Sequence, residues 1–249
     1  MNYLVGDIGN TSIKISILNY KFDVKKSYNL DTNKLYTKKN INSFFKKFLN
    51  KKINKKILFS SVVPKVYKMI EKHLKKNNFK LFEIKDLKIK KILKMNIKNF
   101  NQIGSDRIAN AIGVKNYNNC IIIDFGTATT FDILKNGKYD GGVIAPGIDL
   151  SIKNLNKFTA LLPLLNLNNK QNNYGKNTKE ALNAGFLWGY EGLVNNIINK
   201  IIIKSKKNYK IILTGGYARM FRKFIKKKTM IDQNITIKGV VKVFKEFLL

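Results

Sequence analysis

The chain has 249 residues, a length that accommodates one large domain or two compact ones. Its hydrophobic content of 44% supports a sizeable core, and three prolines, without any serine-, proline- or glycine-rich tract, exclude long disordered linkers. The formal net charge of +33, from 48 Lys and Arg against 15 Asp and Glu, raises nucleic acid as a partner, whereas no apolar run approaches the roughly 20 residues needed to cross a bilayer.

The first predicted elements are two strands joined by a turn, and the same pattern returns later in the chain. Residues 4–17 and 121–134 each contain an apolar strand, an aspartate, a glycine turn with Asn or Thr, and a second strand with alternating apolar residues. The two aspartates, Asp7 and Asp124, are separated by nearly half of the chain. The repeat therefore predicts a duplicated architecture with domains at 1–117 and 118–249.

The segment between the two hairpins alternates predicted helices and strands. A lysine-bearing amphipathic helix is expected to turn five apolar residues inward: Phe44, Phe45, Phe48, Leu49 and Ile53. The predicted bounds are, in order, helix Asn42–Asn54, strand Ile57–Val63, helix Lys65–Asn77, strand Lys80–Ile84 and helix Asp106–Lys115. Alternation of this kind indicates α/β layers.

The second half continues in the same manner after a glycine-rich stretch at 141–147. The predicted bounds are helix Leu150–Leu165, helix Asn177–Lys206, strand Ile211–Leu213 and a terminal helix at Gly239–Leu249. The strand Ile211–Leu213 enters the paired glycines Gly215 and Gly216.

The turn Asp7-Ile8-Gly9-Asn10-Thr11 has the composition of a nucleotide phosphate site. Glycine allows close backbone approach, amide and hydroxyl groups donate to phosphate oxygens, and a strand-end carboxylate can hold Mg²⁺ directly or through water. A type I′ or bulged hairpin, however, prefers the same residues, so one copy leaves both interpretations open. Two copies favour phosphate binding.

Two more elements support that interpretation. The second hairpin offers Asp124 and the hydroxyl of Thr127, and the stretch Leu213–Ala218 leaves space for a flat base and ribose against bare backbone. For Leu213–Ala218 alone, a tight strand-to-helix turn is an equally good interpretation.

The stretch Gly104–Ala111 places Asp106 and Arg107 side by side at the start of a predicted helix. Phosphoryl transfer to an alcohol needs a carboxylate that accepts the hydroxyl proton and positive charge that orients an anionic substrate. A helix cap with a local ion pair is the structural alternative.

Taken in order, these motifs resemble type III pantothenate kinases, members of the acetate kinase, heat-shock chaperone and actin superfamily, over nearly the whole chain. The matching segments are Gly6–Lys14, Gly104–Ala111, Asp124–Thr130, Gly141–Gly147, Asn177–Ala181 with Gly185, Leu213–Ala218 and Asp232–Gly239. The resemblance implies two ribonuclease-H-like domains with an ATP cleft between them, and transfer of the ATP γ-phosphate to pantothenate in the first step of coenzyme A biosynthesis. It also implies a homodimer whose substrate pocket is completed near the subunit interface.

The resemblance also implies a role for each site residue. Asp106 would be the catalytic base, and Asp124 would bind the monovalent cation, K⁺ or NH₄⁺, that the family requires. Asp7 would hold Mg²⁺ through phosphate or water. The residues expected at ATP are Asp7, Ile8, Gly9, Asn10, Thr11, Ser12, Ile13, Lys14 and Thr127. The residues expected at pantothenate are Gly104, Ser105, Asp106, Arg107 and Thr178.

The chain departs from the family pattern just before Gly104. A tyrosine that commonly contacts substrate is replaced by Ile97, and a proline is replaced by Phe100. One pantothenate contact therefore differs in this chain.

The basic charge leaves two alternatives to be weighed. Lys, Asn and Ile dominate together, as A/T-rich codons would produce, and lysine outnumbers the arginine that base recognition prefers, so nucleic acid is not the expected partner. The rival functions are another small-molecule kinase of the same superfamily and a non-catalytic nucleic-acid-binding regulator.

A single cysteine, Cys120, and the lack of a secretory-type segment favour a cytoplasmic protein.

Overall fold

The computed structural model describes residues 1–49, 52–170 and 173–249. The chain forms two compact units, one of Met1–Asn116 with Asn234–Leu249 and the other of Tyr117–Gln233. The domain assignment from sequence, 1–117 and 118–249, stays a prediction. The observed units differ from it in the last segment, which belongs with the first unit.

The first unit is a five-stranded mixed sheet with helices. Its elements are β1 (Asn2–Ile8), β2 (Ser12–Leu18), β3 (Val24–Asp31), α1 (Lys38–Leu49), β4 (Ile53–Ser61), α2 (Pro64–Lys76), β5 (Lys80–Glu83), α3 (Ser105–Gly113) and, from the end of the chain, α7 (Ile235–Phe247). The strand order is β3-β2-β1-β4-β5, with β1, β2 and β3 antiparallel and β1, β4 and β5 parallel.

Alternate residues of β1 serve opposite faces of this sheet. Leu4 and Ile8 belong to a core cluster with α1 and α2, whereas Tyr3 packs edge-on against Phe244 of α7 at 5.5 Å between ring centroids. Helix α7 lies along α3, and the approach is so close that a Cβ at Gly239 would overlap the backbone carbonyl of Ala109. The C-terminal helix is thus part of the first unit's core.

The second unit repeats the same sheet. Its elements are β6 (Cys120–Phe125), β7 (Ala128–Lys135), β8 (Lys138–Pro146), α4 (Ile148–Lys157), α5 (Thr178–Ser205), β9 (Lys210–Gly215), α6 (Ala218–Phe221) and β10 (Thr229–Ile231). Strand order β10-β9-β6-β7-β8 is the order of the first sheet, with an antiparallel β6-β7-β8 meander and parallel β6, β9 and β10. The predicted α/β fold and the predicted duplication of the strand–turn–strand unit are both seen.

The core of the second unit lies between this sheet and α5. Ile121, Ile123 and Phe125 of β6 pack with Leu187 and Val194 of α5. Cys120 is buried at the start of β6, and burial raises the pKa of its thiol to about 12, which disfavours the reactive thiolate. No helix in the described parts of the chain combines the length and apolarity required to cross a membrane.

Most predicted elements are found within a few residues of their expected bounds, but three predictions were wrong in part. The helix expected at Asn42–Asn54 begins at Lys38, and Ile53, expected on its inner face, starts β4 instead. Residues 50–51 of that prediction lie outside the described residues. The helix expected to continue to Leu165 ends at Lys157, and the terminal helix begins at Ile235 rather than Gly239. Strand β3 was not predicted, since its charged and polar residues give it no apolar pattern.

Candidate active site

Asp7 is the penultimate residue of β1 and lies opposite Lys14 on β2 and beside Ser60 on β4. Side chains directly opposite each other in an antiparallel pair point to the same face of the sheet. The carboxylate and the ammonium are both half-buried and therefore share one face at the end of β1. The Lys14 ammonium donates to Asn234 Oδ1 at 2.6 Å, just before α7 begins.

The turn after Asp7 presents its backbone and polar side chains to solvent. Gly9 N–H donates to Ser12 O at 3.0 Å, and the Gly9 carbonyl accepts from the Thr32 hydroxyl at 2.6 Å. Asn10, Thr11 and Ser12 are exposed, as a phosphate site requires. Ile8 and Ile13, which the sequence also placed at ATP, bury their side chains in the core, so only their backbone atoms are available to a ligand.

Asp106 lies in the first turn of α3, half-buried behind Gly104. Its Oδ1 accepts a hydrogen bond from the backbone N–H of Arg107 at 2.8 Å. Burial raises the pKa of Asp106, and the hydrogen bond and positive charge of Arg107 oppose that rise only in part. A half-buried carboxyl with a raised pKa is better suited than an ordinary one to accept a proton during a reaction.

The ends of β1 and β4 bring the Asp106 motif to the Asp7 hairpin. Val62 follows β4 and donates its N–H to Ile8 O at 3.0 Å. A Cβ added at Gly104 would lie 3.3 Å from Val62 Cγ1 and would collide with Asp106 Oδ1, so a side chain there would displace the Asp106 carboxylate. Thr236 of α7 donates to Asn110 of α3 at 2.7 Å, which keeps the two helices in register. Asp7, Lys14 and the Gly104–Arg107 motif therefore converge at one edge of the first sheet.

Asp124 has the equivalent position in the second unit. It is the penultimate residue of β6 and lies opposite Thr130 on β7 and beside Thr214 on β9. Its Oδ1 would lie 2.6 Å from a Cβ at Gly215, whose φ of +85° also demands glycine. Thr127 is exposed at the tip of the β6–β7 turn.

The two aspartates fit the cations that the sequence assigned to them. Mg²⁺ takes one or two protein carboxylates together with phosphate and water, which one strand-end aspartate beside an exposed turn can supply. At Asp124 the carboxylate lies against bare glycine backbone, an arrangement that suits a cation bound by oxygen atoms. Among the residues that the structure describes, no group of three or more His, Cys, Asp or Glu could hold a metal, so any cation here relies on few side chains.

Thr178 is the first residue of α5 and lines an apolar groove of about 590 Å³ within the second unit. Asn177 caps the helix by accepting from Glu180 N–H at 3.0 Å. The groove also contains Ser151 and Tyr190, whose hydroxyls are 2.8 Å apart. Thr178, Thr127 and Asp124 thus belong to the second unit, while the other predicted site residues belong to the first.

Two residues near these motifs were not assigned a role from sequence. Asn234 accepts a hydrogen bond from Lys14 and lies within the segment Asp232–Gly239 that resembles the family. The sequence therefore pointed to this segment but not to its contact with Lys14. Tyr217 follows the paired glycines, and its hydroxyl donates to Asp149 in the first turn of α4. Burial, aided by the Asp149 carboxylate, raises the pKa of Tyr217. That pair fixes the glycine turn to the start of α4, and no sequence pattern predicted it.

Comparison with known proteins agrees with this arrangement. A family model described as type III pantothenate kinase matches residues 3–200. A type III pantothenate kinase from Pelagibacter ubique (strain HTCC1062) is 45% identical over 246 residues, which cover 96% of this chain and 97% of the relative.

Solved structures share the fold at lower identity. A candidate Baf family transcriptional activator from Campylobacter jejuni has a TM-score of 0.63 at 23% identity, with 98% of both chains covered. The activator of the 2-hydroxyisocaproyl-CoA dehydratase from Clostridium difficile, with bound ADPNP, has a TM-score of 0.57 at 14% identity, covering 99% of this chain and 95% of the other. The predicted actin-like ATPase fold is confirmed.

Proposed function

The chain belongs to the type III pantothenate kinase family, and on that premise we propose that it transfers the γ-phosphate of ATP to the primary hydroxyl of pantothenate. The product is phosphopantothenate, and the reaction is the first step of coenzyme A biosynthesis. The observation that carries the proposal is the half-buried Asp106 carboxylate, of raised pKa, at the same sheet edge as Asp7 and Lys14.

The acceptor side of the reaction is assigned to the Gly104–Arg107 motif. The pantothenate hydroxyl oxygen forms a bond to the γ-phosphorus while the bond from that phosphorus to the β–γ bridging oxygen breaks, releasing ADP. Asp106 accepts the hydroxyl proton as the oxygen attacks. Arg107 supplies positive charge for the pantothenate carboxylate, and Gly104 and Ser105 line the same segment. In the second unit, Thr178 provides a further contact from the rim of its groove.

The nucleotide side is assigned to the two hairpins. Backbone and hydroxyl groups of Gly9–Ser12, together with Lys14, bind the phosphate oxygens and stabilise the charge that spreads over them during transfer. The Thr127 hydroxyl binds ATP from the second hairpin. Asp7 holds Mg²⁺, directly or through water, and this ion neutralises phosphate charge when bound. Asp124 holds the K⁺ or NH₄⁺ ion.

We further propose a cytoplasmic homodimer. Large apolar side chains are exposed on α4, in the segment that follows it and on α5, and burial in a second copy would remove them from water. They are Leu155, Phe158, Leu161, Leu164 and Trp188. Light scattering after size exclusion checks this state, and a monomer at micromolar concentration contradicts it.

A coupled ADP-release assay tests the function directly. We expect ADP release that requires pantothenate, Mg²⁺ and K⁺, and no comparable rate with acetate or hexoses. A rate with a sugar or acetate that exceeds the rate with pantothenate identifies a different kinase. No turnover, together with steeply salt-dependent binding to DNA or RNA, identifies a regulator instead.

A further inference from the structure

Lys85 lies in a short 3₁₀ turn, Ile84–Asp86, that follows β5, and its ammonium reaches the segment before the Gly104 motif. Nζ donates to Asn101 O at 2.8 Å and to Ile103 O at 3.0 Å, and it lies 5.8 Å from the centre of the Phe100 ring. Hydrogen bonds from a charged donor are stronger than neutral ones. One side chain therefore restrains the last three residues before Gly104.

Glu83 restrains the turn that carries Lys85. Its carboxylate accepts from Lys85 N–H at 2.6 Å and from Ser61 N–H at 3.3 Å. Burial raises the pKa of Glu83, and these two hydrogen bonds oppose the rise. Glu83 thus holds the backbone of Lys85 against the end of β4.

Glu83 and Lys85 consequently act together on the residue before Gly104. Lys85 holds the Ile103 carbonyl, and Glu83 holds the backbone of Lys85. Because the Asp106 carboxylate lies close against the backbone of Gly104, a displacement of that backbone would change where the carboxylate lies. The pair is therefore well placed to set the position of the carboxylate.

The local sequence explains why such a restraint is needed. Residues Phe100–Gln102 form a single 3₁₀ turn, which Asn99 caps by accepting from Asn101 N–H at 3.0 Å. The segment contains no proline that would fix φ, so the hydrogen bonds of Lys85 supply the restraint.

We propose that Glu83 and Lys85 are positioning residues that align Asp106 with the acceptor hydroxyl. The inference rests on the proposed function, because it assigns these residues to the acceptor side of the same reaction. Substitution of either residue should lower the rate of pantothenate phosphorylation. ATP binding, which relies on the hairpins, should not change.

The test compares Lys85→Met with Lys85→Arg and with the control Lys90→Met. Lys90 lies 5.7 Å from the same Phe100 ring, which makes it a match in charge and position. We expect K85M to lower kcat/KM for pantothenate about tenfold or more through kcat, since misplacement of a reacting group by about 1 Å can cost up to ~10²-fold. The KM for ATP should stay within about twofold, K85R should recover most of the loss, and K90M should match the wild type.

Other outcomes overturn the inference. A purely structural role would lower Tm while leaving kcat per folded enzyme and both KM values unchanged. Equal defects in K85M and K90M would show that only charge near Phe100 matters. If K85M does not fold, Glu83→Gln replaces it, and wild-type kcat/KM for pantothenate in E83Q contradicts the proposal.

The activity of the wild-type enzyme distinguishes a failure of the proposed function from a failure of this inference. If the wild type does not phosphorylate pantothenate, the function is wrong, and hydrogen exchange of residues 99–107 in K85M and K90M still tests the restraint. Faster exchange there in K85M alone supports it, and equal exchange in both variants rejects it.

Discussion

The two hairpins occupy equivalent places in two copies of one sheet, yet they differ in the residue that lies opposite the aspartate. Asp7 and Asp124 are each penultimate in the central strand, and each is followed two residues later by a glycine whose N–H closes the turn, at 3.0 Å to Ser12 O and 3.1 Å to Ala128 O. Opposite the aspartate, the first copy has Lys14 and the second has Thr130. We therefore expect the first hairpin to bind phosphate and the second to bind a cation.

The residue after the fourth strand extends the contrast. Val62 and Gly216 each donate a backbone hydrogen bond to the residue after the aspartate, at 3.0 Å to Ile8 O and 3.1 Å to Phe125 O. Val62 presents a side chain to Gly104, whereas a Cβ at Gly216 would meet nothing within 4 Å. The two copies of one scaffold thus differ by single side chains at matched positions, and the second has open space at Gly216 where the first has the side chain of Val62.

The largest effect is expected from Asp106→Asn, because we assign the catalytic base to Asp106, beside the first hairpin. General-base catalysis contributes about 10²–10⁴-fold, and kcat should fall by that much while the Kd for ATP stays within about threefold. Steady-state kinetics with pantothenate and a nucleotide-binding titration measure the two quantities. Asp23→Asn in an exposed turn of the same unit is the matched control. Turnover of D106N within about threefold of the control contradicts the assignment of the base.

Exchanging K⁺ for Na⁺ separates the two aspartates. We expect the wild type to lose about tenfold or more in kcat/KM when Na⁺ replaces K⁺, on the view that the Asp124 site recognises the cation by fit to its oxygen atoms. Asp124→Asn should be slow in both salts, whereas Asp7→Asn should retain the K⁺ preference and require more Mg²⁺. Rates of the wild type that do not depend on the choice of salt contradict the role of Asp124.

Gly216→Ala tests whether the open space of the second hairpin receives the nucleotide. The added Cβ has room in the protein, so Tm should change by less than about 2 °C, yet the KM for ATP should rise several-fold, since overpacking costs about 1–3 kcal/mol. The KM for pantothenate should be unchanged. Gly192→Ala on α5, also without a neighbour within 4 Å of the added Cβ, is the control. Equal ATP affinity in both variants places the nucleotide elsewhere.

Local chemistry determined which features were predictable from sequence. The hairpins, the glycine pair and the Asp106 motif were visible because aspartate, glycine and alternating apolar residues act over a few neighbouring positions. The first four residues of β3 are all exposed, so its sequence has little apolar alternation that would predict a strand. The strand forms by pairing with β2, a contact that the local sequence does not specify. The contact of Val62 with Gly104 and the bond of Lys14 to Asn234 join distant segments, which no local pattern specifies.

The smallest expected effect concerns stability, and it follows from the burial of Asp106. Because burial raises its pKa above the ordinary 3.8, the folded chain binds more protons than the unfolded chain between the two pKa values. Stability therefore falls as the pH rises through that window, because the ionised carboxylate is less stable in the fold than the neutral carboxyl. Asp106→Asn keeps an oxygen for the Arg107 N–H bond and removes the charge.

D106N should then melt a few degrees above the wild type at pH 7, given roughly 2–4 °C per kcal/mol for a chain of this size. The gain should shrink as the pH falls through the raised pKa of Asp106, where the wild-type carboxyl becomes neutral as well. Differential scanning calorimetry of both proteins at about pH 7 and about pH 4.5 measures the two gains, with Asp23→Asn as the control for a lost surface charge. A lower Tm for D106N at pH 7, or a gain that does not depend on pH, contradicts the destabilising burial of the Asp106 carboxylate beside the first hairpin.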